Sequence, residues 1–313
     1  MKIVISVDVE EEGLFSGVYR RDPPGVSNVA HLDRLEFLTR DFGLPLTLLA
    51  TFPVLRDERA CQILTRWRER LGAEVGVHLH PWCTPPFEEE EIGGPAASRH
   101  LAPDLLDRKL RALVAAFADV FGTNPRSFRM GRFDTSEWLP GLLVNAGLSV
   151  DSSVVPLSFR RPATFLAQAD PYELVAASPT HPALIEVPIT VVARSRRAAL
   201  AAFRLSAAVP DAARAVWLKA AHHLLAVGIH PTWYPLPAMR AAARIHQRRG
   251  GRLLHVFLHS SELMPGATPR FRTEAAVARL IGRLRAFVSW LAARGITEGT
   301  TLAGAAASVR SAP

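Results

Sequence analysis

Cysteine is almost absent from this chain, with only Cys61 and Cys83 in 313 residues. Two are too few for a disulfide framework, so a fold that depends on cross-links is excluded and a reducing compartment is implied. Long hydrophobic runs are missing as well. The most apolar region, Ala198 to Ile229, is broken by Arg204, Pro210, Asp211, Arg214 and Lys219. Each of those charges would be costly at a bilayer centre, so no transmembrane span is expected. The opening stretch from Met1 to Val9 has one positive charge and an apolar run cut short by Asp8. That is too short for an export signal, and a cytoplasmic location is the expectation. No internal repeat and no low-complexity bias is present. The net charge of +8 favours an anionic partner such as a phosphorylated lipid carrier or a membrane surface. The arginines are scattered and form no stripe interleaved with aromatics, so nucleic acid is not an expected partner.

What is present reads as a folded α/β protein. The apolar fraction is 49% and the charged fraction 21%, both ordinary for a globular chain. Short β-branched runs alternate with helical patterns: Lys2–Val9, a helix near Val29–Phe42, Pro45–Ala50, a helix near Asp57–Leu71, then Glu74–His78. The alternation continues through a helix near Asp104–Phe121, a strand near Ser127–Arg129, a helix near Ser136–Ala146 and a strand near Leu148–Asp151. A parallel sheet wrapped by helices follows from that order. Beyond Asp151, prolines loosen the pattern before a strand at Leu184–Thr190; an Ala-rich stretch then leads to a strand at Arg252–His259 and a last long helix near Thr273–Arg294. The expectation is one barrel over residues 1–313 with a helical insertion at about 196–250. The acidic run Glu88–Glu91 is expected to be a solvated loop or helix start.

Chemistry-bearing residues gather at the ends of the predicted strands. Residues two apart on a strand share a face, so Asp8 and Glu10 converge at the end of the first. The C-terminal edge of a parallel β/α sheet is where active sites form. The segment Glu74-Val-Gly-Val-His78-Leu-His80-Pro-Trp82 delivers two histidines, again two apart. Two imidazoles and a carboxylate from another strand make an open three-ligand site for a divalent metal, with room for a water. The run Leu253 to His259 brings a third histidine to a strand end, where it could act as a general acid or base or serve structure. His255, deeper in that strand, is expected to be structural, and Cys83 a small buried residue.

Together these segments resemble the polysaccharide deacetylase superfamily, the NodB-homology or carbohydrate esterase family 4 group, over roughly residues 1–305. Ser6-Val-Asp-Val-Glu10 resembles its first motif, which implies Asp8 as catalytic base and Glu10 as metal ligand. Glu74-Val-Gly-Val-His78 matches its second. The usual further histidine lies four residues on, where this chain has Trp82, and His80 stands two on instead. The His-x-His-Pro-Trp form resembles a subgroup associated with surface-polysaccharide and O-antigen synthesis. Ser127-Phe-Arg-Met-Gly131 resembles the arginine motif, with Arg129 beside the base. The segment with Asp151-Ser152-Ser153 and the pair Leu258-His259 resemble the closing motifs.

The resemblance implies a deformed (β/α)7–8 barrel of the NodB type that removes N-acetyl groups from an amino sugar of a glycan or glycan precursor. Glu10, His78 and His80 would hold one divalent metal, zinc ahead of cobalt, nickel, manganese or iron. Asp8, Arg129 and His259 would be catalytic; Asp151 and Ser152 would line the sugar site or brace a neighbouring strand, and the flat apolar face of Trp82 suits either a sugar ring or the core. Alternatives are a deformylase or other C–N hydrolase on a lipid-linked sugar in peripheral contact with a membrane, and a non-catalytic carbohydrate-binding barrel. The particular sugar, its linkage and the oligomeric state are not set by the sequence.

Overall fold

A computed structural model describes residues 1–17, 19–88 and 101–310. Residues 89–91 of the acidic run lie outside them. Eight strands form one curled sheet: β1 (Lys2–Val9), β2 (Leu46–Ala50), β3 (Glu74–Leu79), β4 (Ser127–Met130), β5 (Val150–Asp151), β6 (Tyr172–Val175), β7 (Leu184–Glu186) and, past the two-stranded pair β8 (Val191–Ala193) and β9 (Ala226–Gly228), β10 (Leu253–His259). The order across the sheet is β10-β1-β2-β3-β4-β5-β7-β6, parallel except for β6 at the edge. The gap between β10 and the segment after β7 is bridged, because Thr190 N–H donates to the His255 carbonyl (3.2 Å) and His255 N–H to the Thr190 hydroxyl (2.8 Å). The anticipated deformed barrel is therefore present.

Helices α1 (Glu36–Phe42), α2 (Phe52–Leu55), α3 (Glu58–Leu71), α4 (Pro103–Phe121) and α5 (Leu139–Asn145) pack against the sheet with α8 (Leu236–Arg248) and α9 (Glu274–Ala292) in the main apolar cluster. Helices α6 (Arg196–Leu205) and α7 (Asp211–Leu225) pack instead in a second cluster with Phe257, and α10 (Leu302–Arg310) in a third with Val4, Leu49 and Leu253. The first expected helix is divided, running as a 3₁₀ helix over Ser27–Leu35 before α1. Asp57 caps α3 by accepting from Ala60 N–H at 2.7 Å, which satisfies one of the orphan donors of its first turn. The expected strand Leu184–Thr190 ends at Glu186, two residues before Pro188, a residue that cannot donate to a ladder. The Ala-rich stretch is not wholly helical. Strand β9 follows α7 and pairs antiparallel with β8, so α6 and α7 form a hairpin between two paired strands.

Strand alternation sorts the side chains. On β1, Ile3, Ile5, Val7 and Val9 join the main apolar cluster with the helices, while Ser6, Asp8 and Glu10 face the barrel interior. Two glycines let the strands approach there. A Cβ on Gly76 would lie 2.5 Å from the Ser127 carbonyl oxygen, and one on Gly131 would lie 2.5 Å from the His80 ring. No helix among the described residues is long and apolar enough to cross a membrane.

Candidate metal centre and acid–base site

Parallel pairing places the end of β1 between two sources of histidine. Asp8 is in register with His259 on β10, and across the sheet His78 on β3 is in register with Arg129 on β4. The end of β1 is locked from behind by Asn28. Its amide donates to the Glu10 carbonyl (3.0 Å) and to the hydroxyls of Ser260 (3.0 Å) and Ser261 (2.9 Å), while Glu10 N–H donates to Ser260 Oγ (3.1 Å). Asn28 lies at the start of the 3₁₀ helix Ser27–Leu35, and a single asparagine there carried no signal that would have singled it out.

Glu10, His78 and His80 offer ligand atoms that all lie within 4.8 Å of one another, and all three residues are buried. His78 Nε2 is 3.8 Å and His80 Nε2 3.7 Å from Glu10 Oε2. Tetrahedral zinc with nitrogen and oxygen donors holds them roughly 3.3–3.4 Å apart, so the spacing is close to what a shared cation requires. The ring tautomers agree. His78 Nδ1–H donates to the Arg129 carbonyl (3.0 Å) and His80 Nδ1–H to Glu11 Oε1 (2.8 Å), leaving both Nε2 atoms toward Glu10. Outer partners of this kind fix the orientation of histidine ligands. Burial lowers the His78 pKa to about 3, so its Nε2 lone pair is free. Burial, with Asp8 and Glu11 adding, pushes Glu10 up to about 8 against the pull of His259 and His80. Glu10 Oε1 has no partner among the described residues. A buried carboxylate in that state is short of positive charge, and a divalent cation fits the need.

Glu11 follows Glu10 in the acidic stretch Glu10-Glu11-Glu12. It is 1% exposed, and besides His80 its Oε1 accepts from Trp82 Nε1–H (3.0 Å) and Cys83 Sγ (3.3 Å). Burial opposes its ionisation, yet the His80 charge and these donors bring its pKa down to about 2. Glu11, His80 and Cys83 also have metal-ligand spacing, but their contacts are hydrogen bonds converging on one carboxylate oxygen.

On the other side of Asp8 stands Arg129, which is fully buried. Its Nη1 donates to Asp8 Oδ1 (2.5 Å), Nη2 to Ser6 Oγ and Ser152 Oγ (2.8 Å each), and Nε to the Ser152 carbonyl (2.9 Å). The planar guanidinium suits this multiple donation. Burial alone would raise the Asp8 pKa, but Arg129, His78 and His259 hold it below the usual value, so Asp8 is ionised. Its other oxygen, Oδ2, lies 3.6 Å from His78 Nε2. His255 is structural as expected, bridging Ser6 Oγ (2.7 Å) and the Pro188 carbonyl (3.1 Å).

His259 completes the ring of polar groups. Its Nδ1 is 3.5 Å from Glu262 Oε1. Burial would lower its pKa, but the carboxylates of Glu10, Glu262 and Asp8 outweigh that and raise it to about 9. Beside it lies His230, whose role the sequence left unassigned. Thr232 N–H (3.1 Å) and Trp233 N–H (3.3 Å) donate to its Nδ1, so the proton sits on Nε2. That N–H is buried without a partner among the described residues, in a cluster with His259 and Glu262. Trp233, 45% exposed, stacks on the His230 ring at 4.1 Å.

The three candidate sugar-site residues sit differently. Ser152 is fully buried and engaged by Arg129, with its own hydroxyl donating to the Val187 carbonyl. Asp151 accepts from the Ser153 hydroxyl and titrates together with Glu186. Trp82, 6% exposed, stacks on His80 at 4.3 Å and is met edge-on by Tyr19 at 4.8 Å. Their polar atoms are occupied by protein groups. The turn after β4 is strained instead, with Arg132 (φ 58°) and Phe133 (φ 54°) in the left-handed region, a cost that tends to concentrate at functional sites.

No family model and no curated protein matches this chain by sequence. Solved structures do match. A Mycobacterium smegmatis protein assigned as a polysaccharide deacetylase superposes with a TM-score of 0.58 at 19% identity, over 99% of this chain and 90% of that one. A Parabacteroides distasonis protein assigned as a glycoside hydrolase or deacetylase gives 0.62 at 11% identity, over 97% of this chain and 70% of that one. At such identities the likeness is one of fold.

Proposed function

We propose that this chain is a divalent-cation-dependent hydrolase that removes an N-acetyl group from an amino sugar of a glycan or glycan precursor. The observation that carries the reading is the division of labour around β1. On one side Glu10, His78 and His80 would hold the cation, and on the other Asp8 and His259 stand in opposite protonation states. The solved structures of the same fold that are assigned as deacetylases support the substrate class by analogy. A precursor of a surface polysaccharide is the substrate the His-x-His-Pro-Trp segment favours.

When bound, the cation would supply Lewis acidity and charge stabilisation for the amide oxygen. Asp8, ionised and held by Arg129 through Oδ1, would accept the proton of the attacking water at Oδ2. His259, protonated at neutral pH and oriented by Glu262, would give a proton to the departing amine nitrogen as the C–N bond breaks. Products are acetate and the free amino sugar. Trp233, partly exposed and stacked on His230, would present an aromatic face to the sugar ring.

Acetate release from N-acetylated sugars, nucleotide sugars and oligosaccharides tests the reading, with metal content determined beforehand. About one zinc or comparable ion per chain is expected, with turnover abolished in Asp8→Asn. A protein that binds no divalent cation when offered one, or an Asp8→Asn variant that turns over normally, would overturn it.

A further inference from the structure

We infer that the α6–α7 hairpin is a docking surface for an anionic lipid bilayer. The inference is independent of the hydrolase reading. Helix α7 has two apolar faces. One, with Leu218 and Ala221, is buried against a cluster that includes Ala199 of α6 and Phe257 of β10, two residues before His259. The other is exposed: Ala213, Val216, Trp217, Ala220 and Leu224 fall on one stripe by helical spacing. Val216 is 68% exposed, Leu224 74% and, at the end of α6, Leu205 57%. Trp217 keeps its N–H on the Ala202 carbonyl (2.8 Å) and is 39% exposed, the half-covered placement that suits a membrane–water boundary.

Charge chooses the occupant. Residues 196–225 contain Arg196, Arg197, Arg204, Arg214 and Lys219 against a single acid, Asp211. Arg196, Arg197, Arg204 and Lys219 are exposed, and Lys219 and His223 border the stripe one turn apart. An apolar stripe edged by basic residues matches the acyl–headgroup boundary of an anionic leaflet. Two copies meeting through this stripe would bring their basic residues together, which disfavours self-association. Because the inner face of α7 shares its cluster with Phe257, a docked hairpin would hold the barrel mouth beside the lipid surface.

The test is flotation of the full chain with vesicles of phosphatidylglycerol and phosphatidylethanolamine, and with phosphatidylcholine alone. Binding is expected to the first and to fall at high salt. The double variant Val216→Glu, Leu224→Glu, at exposed positions outside the candidate site, should lower the vesicle-bound fraction about tenfold or more, since side chains of this size each contribute on that scale when buried. Arg197→Glu with Arg204→Glu should do the same at low salt. Unchanged circular dichroism and zinc binding would show that fold and site persist. Absence of vesicle binding, equal binding by the Val216/Leu224 variant, or a wild-type dimer that this variant dissociates would each overturn the inference, the last by assigning the stripe to a second copy.

Discussion

Replacing Glu11 by glutamine tests whether His80 is a cation ligand. In the wild-type protein Glu11 Oε1 takes His80 Nδ1–H at 2.8 Å and Trp82 Nε1–H at 3.0 Å, and its charge makes the opposite imidazole nitrogen a better donor. Glutamine keeps one acceptor oxygen but loses the charge, and its NH₂ group enters a pocket already furnished with donors. Loss of an outer partner of this kind weakens metal affinity about 10- to 100-fold, equivalent to about 1.4–2.7 kcal/mol. The crowded amide adds a stability cost of about 1–3 kcal/mol in the metal-free protein. Competition with a chromophoric chelator reads the zinc affinity, and urea titration of the metal-free protein reads the stability. Glu10→Gln, which removes a proposed ligand directly, sets the lower end of the scale. A Glu11→Gln affinity within twofold of wild type, beside a large loss in Glu10→Gln, would remove His80 from the ligand set.

Three further outcomes follow from the same geometry. Arg129→Met leaves Asp8 buried and unpaired and should cost about 3–5 kcal/mol in urea titration; a loss below about 1 kcal/mol would show that Asp8 does not depend on it. In the metal-free protein, Glu10 at about 8 is raised from 4.5 and His259 at about 9 from 6.5. Above about pH 6.5, where His78, His230 and His255, each lowered to about 3 by burial, are neutral in both states, the folded state binds more protons than the unfolded state, and stability falls as pH rises from about 6.5 to 9. Zinc should restore Tm most strongly at the alkaline end, and a flat metal-free profile would contradict both assignments. Asp151 is pushed up to about 6 by burial and Glu186 well above its usual value by burial and the adjacent Asp151. Glu186→Gln should accordingly raise Tm at pH 8 and leave it unchanged at pH 5, and an equal shift at both pH values would argue against a charge effect.

The parts of this molecule readable from sequence are those governed by local periodicity. Strand β1 runs over Lys2–Val9 as expected, because its β-branched run has no competing pattern. The strand ends carrying Asp8, Glu10, His78, His80 and His259 also lie where alternation places them. The short strands β6, β8 and β9 were not legible, since three or four residues set by pairing partners leave no period to detect. Nor were the supporting residues. Lys109 lies on a helix foreseen almost to the residue, yet its ammonium is buried against the carbonyls of Pro81, Thr84 and Pro86 at 3.0, 2.8 and 2.7 Å. A lysine in a helical run reads as solvated surface until the loop it clamps is known. Glu11 and Glu262 were hidden in the same way, each a charge beside a more conspicuous residue.

The two-residue spacing of His78 and His80 shows why those supports matter. Strand parity alone turns both rings inward, because His80 keeps an extended backbone (φ −104°, ψ 106°) beyond the end of β3. Orientation is a separate requirement, since an imidazole free to rotate can offer either nitrogen. His78 obtains its orientation from a main-chain carbonyl on β4, but His80 lies past the paired part of β3 and needs a side chain, which Glu11 supplies. Position 82 lies in the 3₁₀ turn Pro81–Cys83, where the chain bends back, so Trp82 covers the outer face of His80 and spends its N–H on the same carboxylate. Gly131 then removes the Cβ that would occupy the space of the ring. Glu11, Trp82 and Gly131 thus form one arrangement with His80. Moving the histidine alone to position 82 would take the Trp82 ring off His80 and a donor off Glu11 without placing an oriented nitrogen at Glu10.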